Sequence, residues 1–188
     1  SAFLCRCLCM PGFRTSNNKI TVNGHNYVSE KNFRLGYICG WMCCHRPDVV
    51  VKKGDKVVGS VEMPCYPQYV CKIQVNCYKG AERTENNLLW TIKKCACNCH
   101  SLFGKACGCC LDAAKFMDFE IIPGPAANGS VGALQKEHFG VVNECFTMAD
   151  KYNVNLSGDD DEKAIFLSAV QFMDMLFFET NYWGAGSI

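Results

Sequence analysis

The sequence predicts a mainly β fold, a closed antiparallel barrel of about ten to twelve short strands around one hydrophobic C-terminal helix. Three observations predict it. Nearly everything before residue 158 breaks into short runs of alternating apolar and polar residues with turn residues between them. One long apolar run, AIFLSAVQFMDMLFF at 164–178, follows the acidic run DDDE. No repeat period and no linker interrupts the chain, so residues 1–188 read as a single domain with its central helix at about 162–179.

The strands follow in order. DVVVKKGDKVVGSVEM is the clearest hairpin: 49–53 and 56–61 flank Gly54-Asp55, a two-residue loop with glycine first, as a type II′ turn requires. YVCKIQVNCY puts Cys71, Ile73, Val75 and Cys77 on one face and Lys72, Gln74 and Asn76 on the other. NLLWTIKK, SVGALQK and GVVNECF have strand length. MDFEII sets Met117, Phe119 and Ile121 against Asp118 and Glu120, and KYNVNL sets Tyr152, Val154 and Leu156 against polar neighbours. IIPGPAANGS at 121–130 is the most evident loop.

The apolar run poses the choice between a membrane span and a core helix. As a helix it would be about 22 Å long, against a hydrocarbon core of about 30 Å. Its eight large apolar residues would contribute about −2.5 to −5 kcal/mol to insertion, and Asp174 opposes that by about 2.5–3.5 kcal/mol. A helix apolar nearly all round is otherwise a buried one. The core helix is the better reading, since a many-stranded closed sheet has space for it. Asp159 to Glu162 then suit its positive N-terminal end.

Nineteen basic residues against eighteen acidic ones leave no global field to draw nucleic acid or anionic membrane, so no nucleic-acid partner is expected. The chain opens on Ser1, which suggests processing or truncation, and SAFLCRCLCM is too short to read as a signal peptide. Sixteen cysteines crowd into CRCLC (5–9), CGWMCC (39–44), CACNCH (95–100) and CGCC (107–110). Such clustering points to metal ligation or S-acylation rather than a spread disulfide framework. Cys95, Cys97, Cys99, His100, Cys107, Cys109 and Cys110 would offer zinc a tetrahedral set. Their C-x-C-x-C-H spacing is not the C-x₂-C of zinc ribbons, so reduced or acylated thiols are preferred to zinc. The four histidines are scattered, and neither a nucleophile elbow nor a phosphate loop is present, so an enzyme is not expected.

Several stretches in order resemble the phospholipid scramblase family: CRCLCMPG, CGWMCC followed by VVVKKGDKVVGSVEMPCYP, CGCC ahead of FMDFEI, GALQKEHFG, ECFTMADKYNVNLSGDDDEKA and MDMLFFE. The resemblance runs from Cys5 to Glu179. It implies a tubby-like barrel of twelve antiparallel strands around a central helix. It also implies calcium-dependent, bidirectional movement of phospholipids between leaflets, with an acylated interaction or signalling module as the alternative. The family's palmitoylation motif falls on Cys39, Cys43 and Cys44, interrupted here by Gly40, Trp41 and Met42. Attachment through these cysteines would put the protein on the cytoplasmic face of a membrane, the plasma membrane by family analogy, with protein partners besides lipid.

The family's calcium loop falls on Met148 to Asp159, with Asp161 just beyond. Met148 stands where the first acidic ligand belongs, leaving Asp150 and Asp159, and Tyr152 and Asn153 occupy the fifth and sixth positions. The expected calcium site at Asp150, Asp159 and Asp161 is therefore weak, and KYNVNL reads better as a strand. The family's nuclear-import segment, Gly132 to Gly140 here, has lost most of its basic residues, so import is not expected.

Overall fold

Alternation of side chains across a strand, and tight turns wherever glycine permits them, dictate most of what folds here. The computed structural model describes residues 15–32, 47–64, 72–95, 116–128, 131–137 and 151–178. Nine strands form one antiparallel sheet in which each pairs with the next: β1 (Ser16–Val22), β2 (His25–Lys31), β3 (Asp48–Lys53), β4 (Lys56–Glu62), β5 (Lys72–Lys79), β6 (Leu88–Cys95), β7 (Phe116–Pro123), β8 (Val131–Glu137) and β9 (Lys151–Leu156). Helix α1 (Asp160–Met173) follows, and a π-helical turn, Asp174–Phe178, continues it.

The β3–β4 hairpin turns at Gly54 with φ +60°, the positive value its first turn position demands. The β1–β2 hairpin, which the sequence reading did not single out, turns at Asn23-Gly24 with φ of 48° and 83°. Two positive values mark a type I′ turn, the geometry Asn-Gly favours. Because the strands alternate in direction, the four turns β1–β2, β3–β4, β5–β6 and β7–β8 all lie at one end of the sheet. The exit of β9 and the start of α1 lie there too. This is the turn end.

One face of the sheet carries the core. Val49 and Val51 of β3 lie opposite Val61 and Gly59 of β4, and Val61 lies opposite Cys77 of β5. Cys77 in turn faces Trp90 of β6. These side chains are buried together with Ile165, Phe166, Ala169, Phe172 and Met173 of the helix. The Trp90 and Phe166 rings meet edge to face at 5.8 Å, a geometry favoured by the ring quadrupoles. Helix α1 packs against β1 to β5, and Tyr152 of β9 reaches its far end to donate a hydrogen bond to Asp174 at 2.7 Å. Strands from both margins of the sheet thus touch one helix, so the sheet curls around it. Register shifts at Val51/Lys52, Cys77/Tyr78 and Val131/Leu134 add the local twist that such curling needs.

The expectation of a mainly β fold with one C-terminal helix holds, but the closed barrel of about twelve strands is not confirmed. Among the described residues the sheet has nine strands, and no pairing joins β9 to β1. Periodicity reveals strands but not which edges meet. Among the described residues, no helix is long and apolar enough to cross a membrane.

Helix and sheet approach most closely at Gly59, where a Cβ would stand 2.3 Å from Ile165 Cδ1 and 2.8 Å from the Tyr78 carbonyl oxygen. The backbone oxygen has little room to yield, so Gly59→Ala forces the helix away. Overpacking of this kind costs about 1–3 kcal/mol. Urea denaturation should show that loss for Gly59→Ala, and Ile165→Val, which removes Cδ1, should recover part of it in the double variant. Unchanged stability of Gly59→Ala would show that the helix does not sit against β4.

Candidate functional site

Two of the expected calcium ligands, Asp159 and Asp161, lie at the start of α1, beside the turn end of the sheet. Asp159 is the N-cap: its side chain accepts a hydrogen bond from the Glu162 amide at 2.7 Å. That satisfies one of the amides left open in a first helical turn. Asp160 accepts from the Asn23 amide group at 2.7 Å and lies 3.9 Å from His25 Nε2. Asp161 accepts from the Tyr27 hydroxyl at 2.7 Å and lies 3.4 Å from Lys53 Nζ. Lys53 also stands over the Tyr27 ring, 5.2 Å from its centroid.

Burial pushes the Asp161 carboxyl up, but the Tyr27 hydrogen bond and the Lys53 charge outweigh it and hold it below the usual carboxylate range. Burial and the bond to Asp161 push the Tyr27 phenol up, against the pull of Lys53. The acidic run is thus largely spoken for by the helix end and the β1–β2 and β3–β4 turns. Of the three expected ligands, Asp159 caps the helix, Asp161 binds Tyr27 and Lys53, and Asp150 lies outside the described residues. Residues 151–156 form β9, as the alternation predicts, rather than a ligand loop. Among the described residues, no three His, Cys, Asp or Glu side chains converge to hold a metal ion.

The cysteines expected to carry lipid, Cys39, Cys43 and Cys44, lie outside the described residues, as do Cys97, Cys99, Cys107, Cys109 and Cys110 of the possible zinc set. Cys95 is the last residue of β6. Cys77 is fully buried on the inner face of β5, where burial pushes its thiol well up and keeps it unreactive.

Two polar arrangements escaped sequence reasoning. On the face of the sheet away from α1, Arg83, just beyond β5, pairs with Asp48 of β3 and lies 3.5 Å from Glu62 of β4. Tyr78 donates to Glu62 at 3.0 Å. Asp48 and Glu62 are both buried, so Arg83 clamps two neighbouring strands through charges that must remain paired. The other is Glu162, 1% exposed, whose two carboxyl oxygens find no hydrogen-bond partner among the described residues. The amides of Asn128 and Asp159 face it without closing a bond of good geometry. Burial and the Asp159 charge push its carboxyl up, and Asn128 and Lys79 pull the other way. The only signal in the sequence is the D-x-x-E spacing of a capping box.

A carboxyl raised in the folded state binds its proton more tightly there than in the unfolded chain. Its ionisation therefore costs stability as pH rises through the folded value, and the cost disappears as pH falls to the ordinary Glu value of 4.5. Glu162→Gln should stabilise the protein by about 1 kcal/mol at pH 7.5, the scale of a buried unsatisfied group. The gain should vanish by about pH 4, the ordinary Glu range. Urea midpoints of both forms at the two pH values measure it, and a gain equal at both would show that ionisation is not the cause.

A protein-family model described as Scramblase matches residues 28–180. No curated protein and no solved structure matches the chain.

Proposed function

The chain belongs to the scramblase family, and from that premise we propose that it is a membrane-associated protein that moves phospholipids in both directions between leaflets, with calcium as activator. The observation that carries this reading is the family match over residues 28–180, which takes in β3 to β9 and the whole of α1. The family is of a non-catalytic, lipid-transport type. Closure of the sheet into a twelve-stranded barrel belongs to the same proposal, as does acylation of Cys39, Cys43 and Cys44. Stable anchoring takes two membrane signals, and the cysteines at 95–110 supply further acylation sites. The cytoplasmic face of the plasma membrane is the proposed location.

Calcium enters as a weak ligand. Met148 removes the first carboxylate of the family's loop and Asp159 is engaged in capping α1. Affinity in such loops follows ligand charge. Zinc at the 95–110 cysteines is not part of this reading.

The filled interior favours a second reading, an acylated interaction module without transport activity. Trp90, Phe166, Phe172 and Ile165 are fully buried between sheet and helix. A lipid headgroup crossing a bilayer needs polar company, and this packed core offers it no path. Transport would have to run along the outside of the protein.

Reconstitution into liposomes with a fluorescent phospholipid separates the two readings. The transport reading expects reductant to reach inner-leaflet probe in protein-containing vesicles, faster with millimolar-range calcium, the affinity typical of the weakest loops of this kind. Probe protection equal to that of protein-free vesicles, with calcium present, would leave the interaction module as the function.

A further inference from the structure

Side chains of β5, β6 and β7 alternate between the core and the opposite face of the sheet. Val75, Cys77, Ile92 and Phe119 go to the core. Gln74, Asn76, Thr91, Lys93, Glu120 and Ile122 therefore stand together on the face turned away from α1. Register sets them in two adjacent rows. Gln74 lies opposite Lys93 and Lys93 opposite Glu120, while in the next row Asn76 lies opposite Thr91 and Thr91 opposite Ile122. All six reach the surface: Glu120 and Ile122 are exposed and the other four half-buried.

The patch combines four kinds of contact. Lys93 Nζ lies 3.4 Å from Glu120, with the two side chains 34% and 64% exposed, and a surface pair of this kind is worth about 0–1 kcal/mol. A ligand that carries both charges replaces it at little cost. Beside the pair, Gln74 donates to the Asn76 carbonyl oxygen at 3.4 Å and Thr91 donates to the same oxygen at 3.2 Å. Asn76 in turn donates to the Tyr78 hydroxyl at 3.3 Å. These bonds are long, so the amides and the hydroxyl turn readily to a better partner. Ile122, among the described residues, is the large hydrophobic side chain left exposed. A cation, an anion, neutral donors and acceptors and an apolar contact thus share three strands about 4.8 Å apart.

We infer that the outer face of β5 to β7 binds the headgroup of a zwitterionic phospholipid. The phosphate goes to Lys93 and the ammonium or choline group to Glu120, the charge-paired ends of one row. Ester oxygens of the glycerol go to the amides of Gln74 and Asn76 and the hydroxyl of Thr91, and the first acyl methylenes to Ile122. The inference rests on the reading that phospholipid is what the protein handles, and it adds where the headgroup sits. The packed interior directs it there, because a headgroup needs polar company that the core does not offer. A second outer pair, Lys52 and Glu30 on β3 and β2, closes to 2.6 Å and is flanked by half-buried Val28 and Val50. That tighter pair serves as the control.

Isothermal titration of the detergent-free full chain with dihexanoylphosphatidylcholine, held below its micelle concentration, tests the site. Saturable binding is expected, with Lys93→Gln and Ile122→Ser each weakening it about tenfold, equivalent to about 1.4 kcal/mol. Lys93→Arg should keep the affinity, and Lys52→Gln should leave it unchanged. Inorganic phosphate should not displace the lipid, since it lacks both the cation and the apolar part. The replaced side chains reach solvent, so urea midpoints should equal that of the unmodified chain; should Lys93→Gln not fold, Glu120→Gln takes its place with the same expected loss. Absence of binding, a loss in Lys52→Gln as large as in Lys93→Gln, or displacement by phosphate alone would overturn the inference. Binding here without lipid transfer in liposomes would defeat the transport reading and keep the site, whereas transfer without binding here would overturn the site and keep that reading.

Discussion

The fold depends on one constraint: a helix that is apolar nearly all round must be covered, and the sheet has to come close enough to cover it. Gly59 permits that approach, because any side chain there would occupy the place of Ile165. Around the contact, Val49, Val51, Val61, Val75 and Trp90 present one continuous apolar face from β3 to β6. The helix is then fixed at its two ends by tyrosines from distant strands, Tyr27 on Asp161 and Tyr152 on Asp174. Each bond is worth about 0.5–1.5 kcal/mol net, small beside the apolar burial. Their role is register: they set how far along its axis the helix sits.

That arrangement accounts for the acidic run and for the carboxylate inside the apolar stretch. Asp174 would be a liability in a bilayer, and here it accepts a hydrogen bond from Tyr152. Asp159, Asp160 and Asp161 complement the helix dipole; Asp159 caps the helix, while Asp160 and Asp161 bind Asn23 and Tyr27 of the β1–β2 hairpin and Asp161 pairs with Lys53 at the end of β3. Within residues 148–159, where the sequence resemblance sets a calcium loop, residues 151–156 form β9 and Asp159 caps α1, while Asp161 just beyond ties the helix to the sheet.

Much of this was legible because it is local. Gly54-Asp55 specified its turn, and the alternation in MDFEII and KYNVNL assigned buried Phe119 and half-buried Tyr152 and Val154 to the inner face. The length and Asp174 of the apolar run pointed to a core helix, which α1 and its π-helical extension are. Asn23-Gly24 was equally local and was passed over, although the dipeptide alone implies a hairpin. What could not be read depends on distant partners. Nothing near Arg83 in sequence indicates that Asp48 and Glu62 close around it. Glu162 looks like an ordinary solvated first-turn acid until Gly158 and the chain near Asn128 bury it.

The central claim is that protein, not lipid, covers the apolar helix. Amide hydrogen exchange of the detergent-free protein tests it most directly, because exchange reports the free energy of exposing each amide. The account predicts that Ile165 to Met173 exchange as slowly as the core of β4 and β5, with no added lipid. Rapid exchange across those residues in solution, slowed only when vesicles are added, would mean that the helix finds its cover in the bilayer and would contradict the account.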